Sequence, residues 1–132
     1  MNYQSAFKML VSNFFGQTNF LTVPIALIEY LNGDISAAIH LNQILYWASR
    51  PNLKNGVFYK RYGEWKSELY QPVKRLRTNV TKFVDMGILS TKVKRVSIRN
   101  RDGELTGYGD KAVFYKVNWE QLALSFSAFE KK

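Results

Sequence analysis

Basic and hydroxyl-bearing side chains recur along one stretch of the chain, residues 72–86. On a helix, one side of this stretch would carry Lys74, Arg75, Thr78, Thr81 and Lys82, with Arg77 on its flank. Lysine and arginine bind phosphate oxygens, and their hydrogen-bond donors also match the edges of guanine, so the chemistry this face could do is nucleic-acid binding. The alternative is a solvated helix face, because basic residues on one helix are common.

The residue patterns of enzymes and metal sites do not occur. The sequence has no P-loop, no GxGxxG or GxSxG motif and no cysteine, and its one histidine, His40, has no acidic residue or second histidine at metal-ligand spacing. The glycines Gly103, Gly107 and Gly109 lack the strand-then-helix context of a phosphate-binding loop. We therefore predict no catalytic residue, no metal and no cofactor, and we expect His40 to be a surface residue or a hydrogen-bonded core residue.

Positive charge is concentrated in the middle of the chain. Residues 54–101 hold 13 Lys and Arg against 3 Asp and Glu, a net charge of +10, whereas the whole 132-residue chain carries +9. A charge that served only solubility would be spread over the sequence, so its concentration around residues 72–86 predicts a polyanionic partner.

Two helices separated by a tight corner must position these residues. The first, from Tyr62 to about Tyr70, has Trp65 and Leu69 four residues apart on an apolar stripe. Gln71-Pro72 interrupts it, because proline cannot continue a helix but suits the first turn of the next one. The second helix, residues 72–86, has its apolar residues at intervals of three and four, namely Val73, Leu76, Val80, Phe83 and Met86. Gly87 follows where a left-handed residue commonly ends a helix, and the arrangement predicts a helix-turn-helix.

Further elements are predicted on both sides of this pair. Residues 1–16 contain an amphipathic helix, 3–15, which either packs on the core or forms a homodimer contact. Four elements are predicted before the pair. They are a strand at 19–23, a short helix after Pro24, a nearly all-apolar helix that is capped by Asp34 and runs to about Ser49, and a strand at 57–60. Strands at 88–98 and 112–118 follow it, joined by the glycine-rich residues 99–111, with an Asp102-Gly103 turn that favours a hairpin. Asn118 is positioned to cap a last helix.

Four segments carry a family resemblance: LNQILYWAS (41–49), GVFYKRYGEW (56–65), MGILSTKVKR (86–95) and FYKVNWEQL (114–122). Together they resemble the winged-helix domain of bacteriophage and mobile-element replication proteins, which include replisome organisers and initiators. The resemblance covers about residues 19–123 and implies an α+β winged helix-turn-helix with a wing at 97–111. It also implies partners in replication, such as a helicase loader or a primase.

We accordingly predict one domain, residues 1–132, that binds duplex DNA with helix 72–86 in the major groove and functions in replication initiation. Additional contacts are expected from basic residues beside the helix and in the wing: Lys60, Arg61, Lys94, Arg99, Arg101 and Lys111. One alternative is a transcriptional repressor or regulator. Another is a single-strand-binding accessory module of a primase or polymerase, with Tyr59, Tyr62, Tyr70 and Tyr108 as candidates for base stacking. No apolar run of membrane-spanning length and no signal peptide occur, so we expect a cytoplasmic protein with no membrane partner.

Overall fold

A computed structural model describes residues 22–130. The predicted N-terminal helix, and with it the predicted homodimer contact at 3–15, lies outside the described residues. Most of the predicted strand at 19–23 also lies outside them, and its two described residues, Thr22 and Val23, have no regular secondary structure.

The described residues form five helices and a three-stranded antiparallel sheet, which confirms the α+β class. The helices are α1 (Ile25–Tyr30), α2 (Ile35–Ala48), α3 (Tyr62–Leu69), α4 (Val73–Asp85) and α5 (Trp119–Glu130). The strands are β1 (Val57–Lys60), β2 (Leu89–Arg99) and β3 (Leu105–Val117), and β3 lies in the centre of the sheet.

Local sequence signals set several of the helix ends as predicted. Asp34 Oδ1 accepts a hydrogen bond from the Ala37 N–H at 3.0 Å, which satisfies a donor at the start of α2. Asn118 caps α5 in the same way through the Gln121 N–H at 3.1 Å. Gly87, which follows α4, has a φ of +76°, a conformation that glycine adopts without steric cost.

The corner between α3 and α4 is built on an unusual residue. Tyr70 has a φ of +54° and is 90% exposed, and its N–H donates to the Lys66 carbonyl at 2.8 Å. A left-handed conformation costs a non-glycine residue about 1–2 kcal/mol. The surrounding helices therefore impose this conformation on Tyr70, and α4 begins immediately after Pro72.

The sheet packs its inner face against the helices. In β1 and β3, the inner face carries Phe58, Val113, Tyr115 and Val117, all of which are buried. The apolar core continues into the helices through Trp65, Leu76, Phe83, Leu41 and Ile44. Burial of each large apolar side chain contributes about 1.5–3 kcal/mol, so these contacts fix the helices relative to the sheet.

His40 lies within this core and is fully buried. Its ring centroid is 4.9 Å from that of Trp65 and 6.0 Å from that of Phe83, both in edge contacts. Its Nδ1 atom is 3.4 Å from the Asn79 Nδ2 atom, and within residues 22–130 its Nε2 atom has no hydrogen-bond partner. Of the two placements expected for His40, the structure shows the core one.

The β2–β3 hairpin is longer than the sequence predicted. The return strand begins at Leu105 rather than at residue 112, so residues 105–111 of the predicted glycine-rich connection are strand. The turn is confined to residues 100–104, where Asn100 Oδ1 accepts hydrogen bonds from the N–H groups of Asp102 and Glu104. Gly107 and Gly109 have little strand preference of their own, yet both lie within β3. Gly107 pairs with Ile98 of β2, whereas Gly109 lies at the register shift that follows Arg95.

No helix among residues 22–130 is long and apolar enough to cross a membrane.

Candidate nucleic-acid interface

The exposed side of α4 presents four predicted contact residues together. Lys74, Arg77, Thr78 and Thr81 line one shallow hollow, as expected for residues spaced three and four apart on a helix. On the opposite side of α4, Leu76, Val80 and Phe83 are buried in the core. Because these apolar side chains fix the rotation of the helix, the four polar residues are held towards solvent.

Arg77 is positioned by an aromatic ring of α3. Its guanidinium carbon lies 5.2 Å from the centroid of the Tyr62 ring. Burial raises the pKa of Tyr62 above its usual value, so the phenol is neutral at pH 7 and the contact joins a cation to a ring. This contact restrains the Arg77 stem and leaves guanidinium donors available at the surface of α4.

Arg75 and Lys82 are directed at α2 rather than into the hollow. The Arg75 Nη2 atom donates to both carboxylate oxygens of Asp34, and its Nε atom donates to Ser36 Oγ at 3.0 Å. The Lys82 ammonium lies 3.6 Å from the same carboxylate. Burial alone would raise the pKa of Asp34, but the Ala37 N–H, the Arg75 hydrogen bonds and the two positive charges outweigh it and lower the pKa. Arg75, predicted to read the groove, thus joins α4 to α2.

Lys60 is also removed from solvent, with 8% of its surface exposed. Its ammonium lies 4.3 Å from the ring centroids of both Trp47 and Trp65 and forms an ion pair with Glu68. The Trp47 indole N–H donates to the other Glu68 oxygen at 3.2 Å. A buried ammonium with aromatic and carboxylate partners cannot reach a phosphate, so we leave Lys60 out of the candidate interface.

The remaining predicted residues are divided between the corner and the hairpin. Arg61 precedes α3 and forms an ion pair with Glu64 at 3.3 Å. Arg99 and Arg101 are exposed at the far end of the β2–β3 hairpin, and Arg99 Nη1 donates to the Gly103 carbonyl at 2.9 Å. Lys111 is exposed midway along the hairpin, where it pairs with Arg95. Lys94 lies instead on the side of the sheet that faces away from the helices, over the Phe114 ring.

This outer side of the sheet holds a group of residues that the sequence did not bring together. Tyr59, Phe114, Tyr108 and Lys94 line one shallow hollow there. Tyr59 and Tyr108 were among the four tyrosines predicted as candidates for base stacking, and Phe114 was not among the predicted residues. The alternation of residues 113–117 was a usable signal, because it places Phe114 on the face opposite Val113 and Tyr115.

Within residues 22–130, no three carboxylate or imidazole side chains lie together as a metal site requires. No protein-family model matches the chain, and no curated protein matches it significantly.

Proposed function

We propose that this protein binds duplex DNA as a winged helix-turn-helix, with α4 in the major groove and the β2–β3 hairpin as the wing. The observation that carries the proposal is the hollow on α4, where Lys74, Arg77, Thr78 and Thr81 face solvent while Leu76, Val80 and Phe83 hold the opposite side of the helix in the core. Arginine and lysine pair with guanine edges, and the threonine methyl groups suit the thymine methyl group.

The order of elements supports the same proposal. Strand β1, the α3–α4 pair and the hairpin follow one another in the order of a winged helix. The corner at residues 70–72 allows α4 to begin in a new direction after α3, and Trp65 on α3 and Phe83 on α4 are both fully buried in the shared core. This arrangement suits a helix that must be presented to a groove without moving relative to its support.

The hairpin supplies charge beyond the core. Val93 is 63% exposed and Ile98 is 49% exposed, so the distal part of the hairpin projects from the helices. The exposed cations of the hairpin, Arg99, Arg101 and Lys111, are suited to phosphates beside the groove. Such contacts add affinity and carry little sequence information.

The direct test is a pair of charge-matched double variants. A preferred duplex is first selected from random DNA, and binding is then measured by fluorescence anisotropy. Lys74→Ala/Arg77→Ala removes two cations from α4, and Arg50→Ala/Lys54→Ala removes two exposed cations from the segment before β1. Since each specific base contact contributes about 1–3 kcal/mol, we expect the α4 variant to bind the selected duplex at least about tenfold more weakly. The control variant should change affinity by less than about threefold.

Salt dependence gives an independent measure of the same interface. With about four to six phosphates neutralised by α4 and the hairpin, log affinity should fall against log salt with a slope of roughly −4 to −5. Equal losses for the two double variants, or a slope near zero, would refute the proposal.

A function in replication is proposed on the resemblance of residues 19–123 to replication proteins of phages and mobile elements. Immunoprecipitation of DNA crosslinked to the protein in its native host distinguishes this function from transcription control. Recovery of the replication origin supports initiation, whereas recovery of promoters alone supports the repressor alternative.

A further inference from the structure

The outer face of the sheet has a composition that neither the core nor the α4 interface explains. We define this face by the side chains of Tyr59, Lys92, Lys94, Tyr108, Phe114 and Lys116. Strand alternation directs all of these side chains except Tyr108 away from the buried side chains of Phe58, Val113, Tyr115 and Val117 on the opposite face. Tyr108 lies beyond a register shift of β3 and is included because it lines the same hollow as Tyr59, Lys94 and Phe114. Aromatic rings on this side therefore contribute nothing to the helix-packed core.

The rings are arranged next to one another across the strands. Tyr59 on β1 pairs with Phe114 on β3, and their centroids are 5.1 Å apart with a tilt of 37°. Tyr108 lies further along β3 and lines the same hollow, opposite Ser97 of β2. Tyr59 is 44% exposed and Tyr108 is 59% exposed, so ring surface is open to solvent.

Positive charge lies beside these rings. The Lys94 ammonium is 4.4 Å from the Phe114 ring centroid, while Lys92 pairs with Phe114 in the register and Lys116 follows two residues later on the same face. Within the regularly paired segments 57–60, 89–95 and 111–117, the sequence has no acidic residue. The three lysines therefore give this part of the face a net positive charge that complements a polyanion.

We infer that the outer face of the sheet is a second nucleic-acid site, which binds single-stranded polynucleotide. Bases stack on Tyr59, Phe114 and Tyr108, and the lysines neutralise the adjacent phosphates. The face discriminates against duplex, because paired and stacked bases cannot present their ring faces to a flat aromatic surface. The inference does not depend on the α4 interface, since the two sites share no residue.

The size of the face is consistent with a short site. At about 3.3 Å per strand residue, Tyr108 and Lys116 are roughly 26 Å apart along β3. That length accommodates about four nucleotides, which is at the lower end of the site sizes known for sheet-based single-strand binders.

The test measures anisotropy with a labelled 12-nucleotide oligothymidylate, with the matching oligouridylate and with the selected duplex. The variant Tyr59→Thr/Phe114→Thr removes two rings and keeps strand-favouring residues. We expect it to bind the oligothymidylate at least about tenfold more weakly, because each stacked base contributes severalfold or more to affinity. The matched variant Tyr59→Phe keeps the ring and should bind like the wild type. The variant Lys92→Gln/Lys94→Gln should weaken binding and reduce the salt slope by about 1–2.

Comparison with the α4 variant separates the two sites. Tyr59→Thr/Phe114→Thr should bind the selected duplex within about twofold of wild type, and Lys74→Ala/Arg77→Ala should retain oligothymidylate binding. The oligouridylate arm shows whether the site takes DNA, RNA or both. Tight single-strand binding by Tyr59→Thr/Phe114→Thr would overturn the inference. Loss of single-strand binding in Lys74→Ala/Arg77→Ala alone would also overturn it. The protein could instead fail to bind single strands and form a dimer, detected by sedimentation, that Tyr59→Thr/Phe114→Thr abolishes. That result would overturn the inference and identify the face as a contact between two copies of this chain.

Discussion

The buried His40 side chain predicts a specific dependence of stability on pH. Burial, followed by the positive charge of Lys60, lowers the pKa of His40 from 6.5 to about 3. The folded state therefore keeps the imidazole neutral, whereas the unfolded chain binds a proton as the pH falls through 6.5. Stability from this residue is fully present above about pH 6.5 and is lost as the pH decreases below it.

The magnitude follows from the two pKa values. Between about pH 7.5 and pH 5.0, proton uptake by the unfolded chain should lower the free energy of unfolding by about 2 kcal/mol. This value is insensitive to the folded pKa, provided that it lies below about 4. Because the chain has one histidine and no cysteine, His40 is the one side chain whose ordinary pKa falls within this range.

Urea unfolding followed by tryptophan fluorescence measures the effect directly. His40→Gln should be less stable than wild type at pH 7.5 but should lose most of the pH dependence between 7.5 and 5.0. The comparison uses the slope within each protein, so the destabilisation caused by the substitution does not obscure it. A wild-type slope near zero, or an unchanged slope in His40→Gln, would show that His40 is not a buried neutral imidazole.

Three further predictions concern α4 and the corner before it. Arg75→Ala should lower the free energy of unfolding by about 1 kcal/mol, because it removes a partly exposed ion pair with Asp34 and a hydrogen bond to Ser36. It should change duplex affinity by less than about threefold. Arg77→Ala should show the reverse, with stability within about 0.5 kcal/mol of wild type and weaker duplex binding. If Arg75→Ala lost as much duplex affinity as Arg77→Ala, the structural role of Arg75 would be contradicted. Tyr70→Gly should leave stability unchanged or raise it by up to about 1 kcal/mol, because relief of the left-handed strain offsets the entropy cost of glycine. Tyr70→Ala, which keeps the strained backbone, is the control, and a clear loss of stability in Tyr70→Gly on urea unfolding would refute this explanation.

The helices were predictable because their determinants are local. The apolar spacing of Leu76, Val80 and Phe83 marks the buried side of α4, and Asp34 and Gly87 mark helix ends through interactions with adjacent backbone. The same periodicity placed Lys74, Thr78 and Thr81 on the exposed side, with Arg77 on its flank, but it also placed there Arg75 and Lys82, which the structure directs at Asp34. Neighbouring residues in the chain decide such features, so the sequence alone determines them.

The hairpin was predicted less accurately because strand pairing is not a local property. Gly107 and Gly109 favour a loop when considered individually, yet hydrogen bonds to β2 extend the strand through them. The group of aromatic residues on the outer face of the sheet could not be predicted for the same reason. Tyr59 and Phe114 are 55 positions apart in the sequence, and only the register of β1 with β3 brings their rings within 5.1 Å.

The sequence by itself determined which residues are charged and where helices begin and end. The tertiary structure decided which of those charges remain available to a ligand. Lys60 and Arg75 have the same charge as Lys74 and Arg77. However, Lys60 is buried against Trp47 and Glu68, and Arg75 forms an ion pair with Asp34. The physical reason is that a cation's availability depends on its solvation and on the nearest opposite charge, and distant segments of the chain supply both only after folding.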